Sequence, residues 1–293
     1  MISQFIAIIP EIMLAILAMG MQILDVCTKK SSKKVASLAT ILGLGIVCYL
    51  LYITPEYDYF FLNSFAISPV ISIFKALIMG LTLMSIIIYR NLSKINNKQP
   101  KIELITLMLL SALGIFISIS ARDFILLFCG LELQALSGYA LASFNTERIK
   151  SSEAGLKYFV LGALMTSIML LGISFLYGFS GSIKFVEIKY ALNEELNIGL
   201  ITGGVFVLAA LLFKLSAAPL HIWTPDVYEG APISVVSYFA TAQKVGTLLV
   251  LINVIDGVIG QYTPLSRDLI KIVAILSMVV GTLGAIRQVS QKG

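Results

Sequence analysis

An all-α, polytopic transmembrane bundle of about nine helices is the fold this sequence predicts, and three observations lead to it. Hydrophobic residues make up 58% of the 293 and charged residues only 13%, where soluble domains carry roughly 45–50% and about 25%. A soluble fold of this length has too little interior for that much apolar surface, so the solvent must be lipid. The apolar residues run on for about 20 positions at a time, the length of a membrane helix, without the alternation of a barrel strand. Charge collects in the short connections between those runs.

Taken in order, the first apolar run covers residues 5–24, with Glu11 and Asp25 marking its ends. Residues 1–9 lack a basic region, so no cleaved signal peptide is expected. Runs 35–53 and 65–89 follow. Lys75 lies ten residues into the latter, close enough to reach its end by snorkelling, and its role stays open. Runs 102–120, 123–143 and 155–178 are rich in Gly, Ala and Ser, which suits close helix packing. The remaining runs are 198–218, 233–254 and 268–286. Cys27, Cys48 and Cys129 have neither CxxC nor metal-ligand spacing and read as small hydrophobes.

The net charge of +5 is a matter of topology rather than of nucleic-acid binding. Alternate connections hold Lys29, Lys30, Lys33 and Lys34, then Arg90, Lys94, Lys98 and Lys101, then Arg148 and Lys150, then Arg287 and Lys292. The opposite connections hold only Arg122, Lys184, Lys189 and Arg267. Basic residues stay cytoplasmic, which predicts a non-cytoplasmic N-terminus.

Three ionisable residues lie too deep for this pattern: Glu132, Lys214 and Lys244. A charge at mid-membrane costs about 2.5–3.5 kcal/mol even on lenient scales, so such residues are functional candidates by default. One acid and two lysines leave a lysine without a carboxylate, which structural ion pairing does not explain. Lys157 opens its run with Glu153 four residues before it, the favourable helical orientation. It reads either as a relay or as an interfacial pair.

The stretch "LLFKLSAAPLHIWTPDVYEGAP" at 211–232 joins these candidates. Pro219 has no N–H and its ring crowds the carbonyl of Leu215, so the helix must break near 214–222. Broken backbone at membrane depth is tolerated only inside protein or beside water, and discontinuous helices form ion sites in transporters. Lys214 sits at the negative end of that helix, where hydration and neighbouring charge tune its proton affinity. His221 is a candidate relay, or with Trp223 an interfacial anchor. Asp226 and Glu229 read as the solvated face of a loop. Glu132, Lys157, Lys214, His221 and Lys244 thus form a candidate series of proton-transferring groups. No phosphate-binding loop, haem-ligand pair, iron–sulfur cysteine set or nucleophilic triad is visible, so redox chemistry is not expected on this chain.

"FKLSAAPLHIWTPDVYEGAP" resembles the broken-helix signature of the antiporter-like subunits of respiratory complex I and of Mrp-type cation/proton antiporters. "IIPEIMLAIL", "FILLFCGLELQALSGYALASF" and "SSEAGLKYFVLGA" resemble the complex I branch. The likeness extends along essentially the whole chain. It implies a larger bundle of two inverted repeats, each with a proton half-channel. On that basis 1–293 is one transmembrane domain: N-terminal helices over 1–100, a proton-channel repeat over 101–255, and the start of a second repeat over 256–293. Glu132, Lys214 and Lys244 match the glutamate of the family's helix 5, the lysine at the break of helix 7 and the lysine of helix 8. Lys157 and His221 match its linking residues. Lys244 lies in "TAQKVG", which lacks the proline usual beside that lysine. The family continues beyond "GAIRQVSQKG", so the second repeat is expected to be incomplete here, with its half-channel completed elsewhere or absent.

The resemblance implies a proton-translocating membrane subunit of NADH:quinone oxidoreductase, in a bacterial or organellar inner membrane. Its partners would be other membrane subunits of complex I, including neighbouring antiporter-like ones, with protons and lipid and no nucleic acid. NADH, flavin, iron–sulfur clusters and quinone would belong to partner subunits, and no cofactor to this chain. The alternatives are a subunit of an Mrp-type monovalent cation/proton antiporter and a truncated structural subunit without transport.

Overall fold

A computed structural model describes residues 8–27, 33–53, 57–60, 63–96, 100–194, 197–259 and 264–287. Every predicted apolar run contains a helix. The first six are α1 (Ile9–Cys27), α2 (Lys33–Ile53), α3 (Pro69–Ile95), α4 (Ile102–Ser120), α5 (Phe124–Ala142) and α6 (Ile149–Ser180). A short α7 (Phe185–Glu194) precedes α8 (Ile198–Lys214), and a short α9 (Thr224–Gly230) follows the break. Helices α10 (Ile233–Tyr238) and α11 (Lys244–Val254) are joined by a π-helical turn, Phe239–Gln243, and α12 (Pro264–Arg287) comes last. Among the described residues, five helices are long and apolar enough to cross a membrane: α3, α4, α5, α6 and the continuous run Ile233–Val258. Shorter apolar stretches lie at Ile9–Ile23, Gly43–Ile53 and Ile198–Lys214. The chain is an integral membrane protein with a helical bundle fold.

Local chemistry sets several helix starts. Ser68 accepts a hydrogen bond from the Ile71 amide at 3.3 Å, with Pro69 in the first helical position of α3. Asp123 caps α5 by accepting from the Leu126 amide at 2.7 Å, and Asn197 caps α8 by accepting from Gly199 at 2.9 Å.

The centre of the bundle is α4, 78% of whose apolar window is buried, against 28% for α6. Glycines let its backbone approach α5. A Cβ at Gly114 would lie 2.5 Å from the Gln134 nitrogen and 2.6 Å from the Gly130 oxygen. The same device joins α6 to α8, where a Cβ at Gly172 would come within 2.8 Å of the Gly203 oxygen. Close backbone contact through small residues replaces the hydrophobic drive that lipid removes.

Three features were not expected from the sequence. An antiparallel hairpin of β1 (Tyr57–Phe60) and β2 (Phe65–Ile67) precedes α3. Its end is bonded to the α4–α5 connection, where the Arg122 amide donates to the Ser64 carbonyl at 2.8 Å. The segment of Asp226 and Glu229 is the helix α9 rather than a loop. The π turn before Lys244 is the third. Lys29, Lys30, Lys98 and Lys292 lie outside the described residues, as do the side chains of Asp25, Cys27, Lys33, Lys34, Arg267 and Arg287.

Candidate functional site: a broken helix between acid and base residues

The break falls where proline chemistry puts it. Helix α8 ends at Lys214, and Ser216 takes a left-handed conformation with φ 57°. The Ser216 amide donates to Phe213 O at 2.9 Å and the Ala217 amide to Leu212 O at 3.0 Å. These two bonds are those of a Schellman cap, which usually has glycine at the left-handed position. The Leu215 carbonyl gains a different partner: Lys244 Nζ donates to it at 2.6 Å, and also to the Ser216 hydroxyl. Helix α12 supports the far side of the break, the Ala218 amide donating to Ser277 Oγ at 2.9 Å.

Lys244 reaches the break from the first position after the π turn. Such turns add a residue to the helical repeat and re-aim the side chains around them, often at functional sites. Within the turn, Gln243 Nε2 donates to Ser111 Oγ of α4 at 3.0 Å.

On the other side of the break Lys214 Nζ donates to the Leu131 carbonyl at 3.2 Å. The next residue, Glu132, accepts from the Thr166 hydroxyl of α6 at 3.1 Å. Among the described residues Glu132 and Lys214 make no direct ion pair. A cavity of about 10 Å³ lies beside Lys214, lined also by Tyr139, Tyr158 and Thr166, the residue that donates to Glu132. That is room for one water, enough to bridge polar groups that do not touch.

An aromatic series runs from this cavity to Lys244. Tyr139 and Tyr158 meet edge to face at 4.8 Å, and Tyr158 stacks on Trp223 at 4.5 Å and 10°. Trp223 is buried rather than an interfacial anchor. Its indole N–H donates to Phe213 O at 3.0 Å, and Lys244 Nζ stands 5.5 Å from its ring centroid.

The structure therefore brings Glu132, Lys214 and Lys244 to one break. Lys157 lies apart, in an ionic cluster where α6 begins. Its ammonium pairs with Glu153 at 2.8 Å and Asp226 at 2.6 Å, and Lys150 pairs with Glu229 at 2.5 Å. A cavity of about 70 Å³ is lined by these five side chains together with Ala154 and Gly230. Asp226 and Glu229 are solvated, as expected, but they also fasten α9 to α6. Below them burial pushes the Tyr228 phenol up to about 12. His221 lies in the connection between α8 and α9, its Nδ1 buried without a described hydrogen-bond partner.

Two sequence expectations need correction. Glu11 does not simply mark a helix end, and Lys75 does not snorkel. They form a buried ion pair, with side chains 5% and 1% exposed. The Lys75 ammonium also lies 5.3 Å from the Phe65 ring and 5.6 Å from the Phe116 ring. Helical side chains lean toward the helix N-terminus, so Lys75 reaches back toward the end where Glu11 sits. Opposite charges near the same end of two neighbouring helices were the available signal. Thr166 and Ser216 had none, being ordinary small polar residues in an apolar sequence.

Fold and site together define a helical membrane bundle with acid and base side chains gathered at a discontinuous helix. A sequence profile described as "NADH:quinone oxidoreductase/Mrp antiporter, TM" matches residues 121–293, and the chain belongs to this family. The NADH-quinone oxidoreductase subunit N of Rickettsia felis is 47% identical over 97% of this chain and 62% of its own length. That of Rickettsia prowazekii is also 47% identical, with the same coverage of both chains. A chain in respiratory complex I from Thermus thermophilus superposes with TM-score 0.81 at 28% identity, over 97% of this chain and 60% of that one. A chain of the Mrp complex from a Dietzia species gives 0.79 at 17% identity, over 97% and 55%, a likeness of fold alone. The chain thus spans about three fifths of the length of the subunit N relatives, 62% in these cases.

Proposed function

We propose that this chain forms a proton-translocating membrane unit of an NADH:quinone oxidoreductase. The observation that carries this reading is Lys244 donating to the Leu215 carbonyl at the break, one residue beyond Lys214. Half-buried basic groups on both sides of a discontinuous helix, with Glu132 beside one of them, are what stepwise proton movement needs. Each can take up or release a proton when its neighbour's charge changes. The cavity beside Lys214 has room for a water next to Thr166, whose hydroxyl bonds Glu132, so that water and hydroxyl together would carry the proton toward Glu132. Lys157 and its acidic neighbours form a hydrated cluster suited to exchanging protons with bulk solvent, and His221 would link the cluster to the break. On the charge pattern of the connections, that cluster faces the cytoplasm.

Electron transfer from NADH to quinone, with the flavin, iron–sulfur clusters and quinone it uses, would belong to partner subunits. Neighbouring antiporter-like subunits would be among those partners. A monovalent cation/proton antiporter is the second reading, supported by the fold likeness to the Mrp complex. The names of the 47% identical relatives favour the first. The two separate on purification of the native membrane complex in mild detergent. The first expects this chain to co-migrate with NADH:quinone reductase activity, and proton uptake driven by NADH to be independent of sodium. Migration apart from that activity, with sodium-dependent proton exchange, would favour the antiporter.

A further inference from the structure

Lys244 is a half-buried cation with no ion pair to a described carboxylate. Its ammonium has three N–H donors. The Leu215 carbonyl and the Ser216 hydroxyl accept two of them, and the face of Trp223 covers the remaining side at 5.5 Å. This ring is unusually well fixed. Its N–H is held by the Phe213 carbonyl at 3.0 Å, its plane by stacking on Tyr158 at 4.5 Å, and its flank by Phe213 at 5.7 Å. With its polar edge occupied, what the indole offers Lys244 is its π face, which attracts a cation and not a neutral amine.

The location gives that attraction a use. Trp223 bonds to the carbonyl next to Lys214 and stacks on Tyr158, which lines the cavity shared with Lys214. It therefore stands between the two lysines, with one side of its environment at Lys214 and its face at Lys244. We propose that Trp223 is a positioning residue for proton transfer, its indole face holding the charged Lys244 side chain against the broken end of α8 and releasing it when the charge is lost. The amine would then be free to leave the Leu215 carbonyl, so that the protonated and deprotonated side chains occupy different places. This deepens the proton-translocation reading and rests on it.

The test is site-specific replacement of Trp223 by mono-, di- and trifluorinated tryptophan in the complete membrane complex. Fluorination withdraws charge from the ring face while keeping its shape and N–H. Trp223→Phe, Trp223→Leu and Lys244→Ala complete the set. The readouts are the amount of assembled complex and the rate of proton pumping driven by NADH in proteoliposomes. We expect pumping to fall stepwise with fluorine number, by about three- to tenfold over the series, with assembly unchanged. Trp223→Phe should retain more pumping than Trp223→Leu. If the fluorinated complexes pump normally while Trp223→Leu and Lys244→Ala do not, Trp223 is a packing residue and the proposal fails alone. Normal pumping in Lys244→Ala would overturn both the proposal and the proton reading of Lys244.

Discussion

Lys244 Nζ donates to the carbonyl of Leu215 at 2.6 Å, the carbonyl that Pro219 deprives of its helical partner. The broken end of one helix thus supplies the acceptor for a lysine in another. The pairing explains why a lysine within an apolar helix and a broken helix occur together. A free carbonyl at membrane depth and an unpaired ammonium are each costly, and each satisfies the other.

Ser216 should separate strain from function. It holds a left-handed conformation that disfavours a side chain by about 1–2 kcal/mol, yet its hydroxyl accepts from Lys244. Ser216→Gly removes both, so the complex should keep or gain thermal stability while pumping falls. Ser216→Ala keeps the strain and loses the hydroxyl, so it should pump no better and be less stable than Ser216→Gly. Thermal shift and pumping assays on the pair would show this, and full pumping in both would remove Ser216 from the site.

The Glu11–Lys75 pair should behave as a buried ion pair with a structural role. Glu11→Gln or Lys75→Met alone leaves an uncompensated buried charge, a loss of about 3–5 kcal/mol. The double change Glu11→Leu with Lys75→Met removes both charges and should recover most of that stability, with pumping intact. A double variant that assembles but does not pump would instead give the pair a part in transport.

Thr166 donates to Glu132 at 3.1 Å across the α5–α6 interface. Thr166→Val conserves the shape and removes the donor, a hydrogen bond to a charged group worth about 1.5–3 kcal/mol. Pumping should fall several-fold while the complex still assembles. Thr166→Ser should restore it. Equal pumping in Val and Ser variants would show that Glu132 does not depend on this bond.

Gly114→Ala should loosen the bundle at its centre, because the new methyl meets backbone of α5 at 2.5 Å. Overpacking of this kind costs about 1–3 kcal/mol. Gly80→Ala in α3 has open space around it and should be neutral or mildly stabilising. Comparing the melting temperatures of the two complexes tests whether the α4–α5 contact is as tight as described.

Much of this was legible in the sequence because the membrane leaves so few choices. Apolar length gave the helices, and the prohibition on unpaired backbone in lipid gave the meaning of Pro219. The depth of Glu132, Lys214 and Lys244 in apolar runs marked the candidate site, and the structure brings those three to the break. What stayed hidden depends on partners distant in sequence. Lys75 looked able to snorkel until α1 placed Glu11 beside it. Lys157 read either as a relay or as a pair with Glu153; that pair forms, and the partner that stayed hidden is Asp226 of α9. The π turn at Phe239–Gln243 has no composition signal, since its residues suit an α-helix equally well. His221 read either as a relay or, with Trp223, as an interfacial anchor, and the burial of Trp223 comes from residues distant in sequence, Tyr158 of α6 and Phe213 of α8.

The most direct measurement is NADH-driven proton pumping by proteoliposomes containing the complex with Glu132→Gln and Lys214→Ala combined, recorded with the rate of NADH oxidation and the amount of assembled complex. Protons carried by these groups predict a complex that assembles and still oxidises NADH when uncoupled, while the protons moved per NADH drop clearly below those of the native complex. Native pumping in a stably assembled double variant would contradict the account.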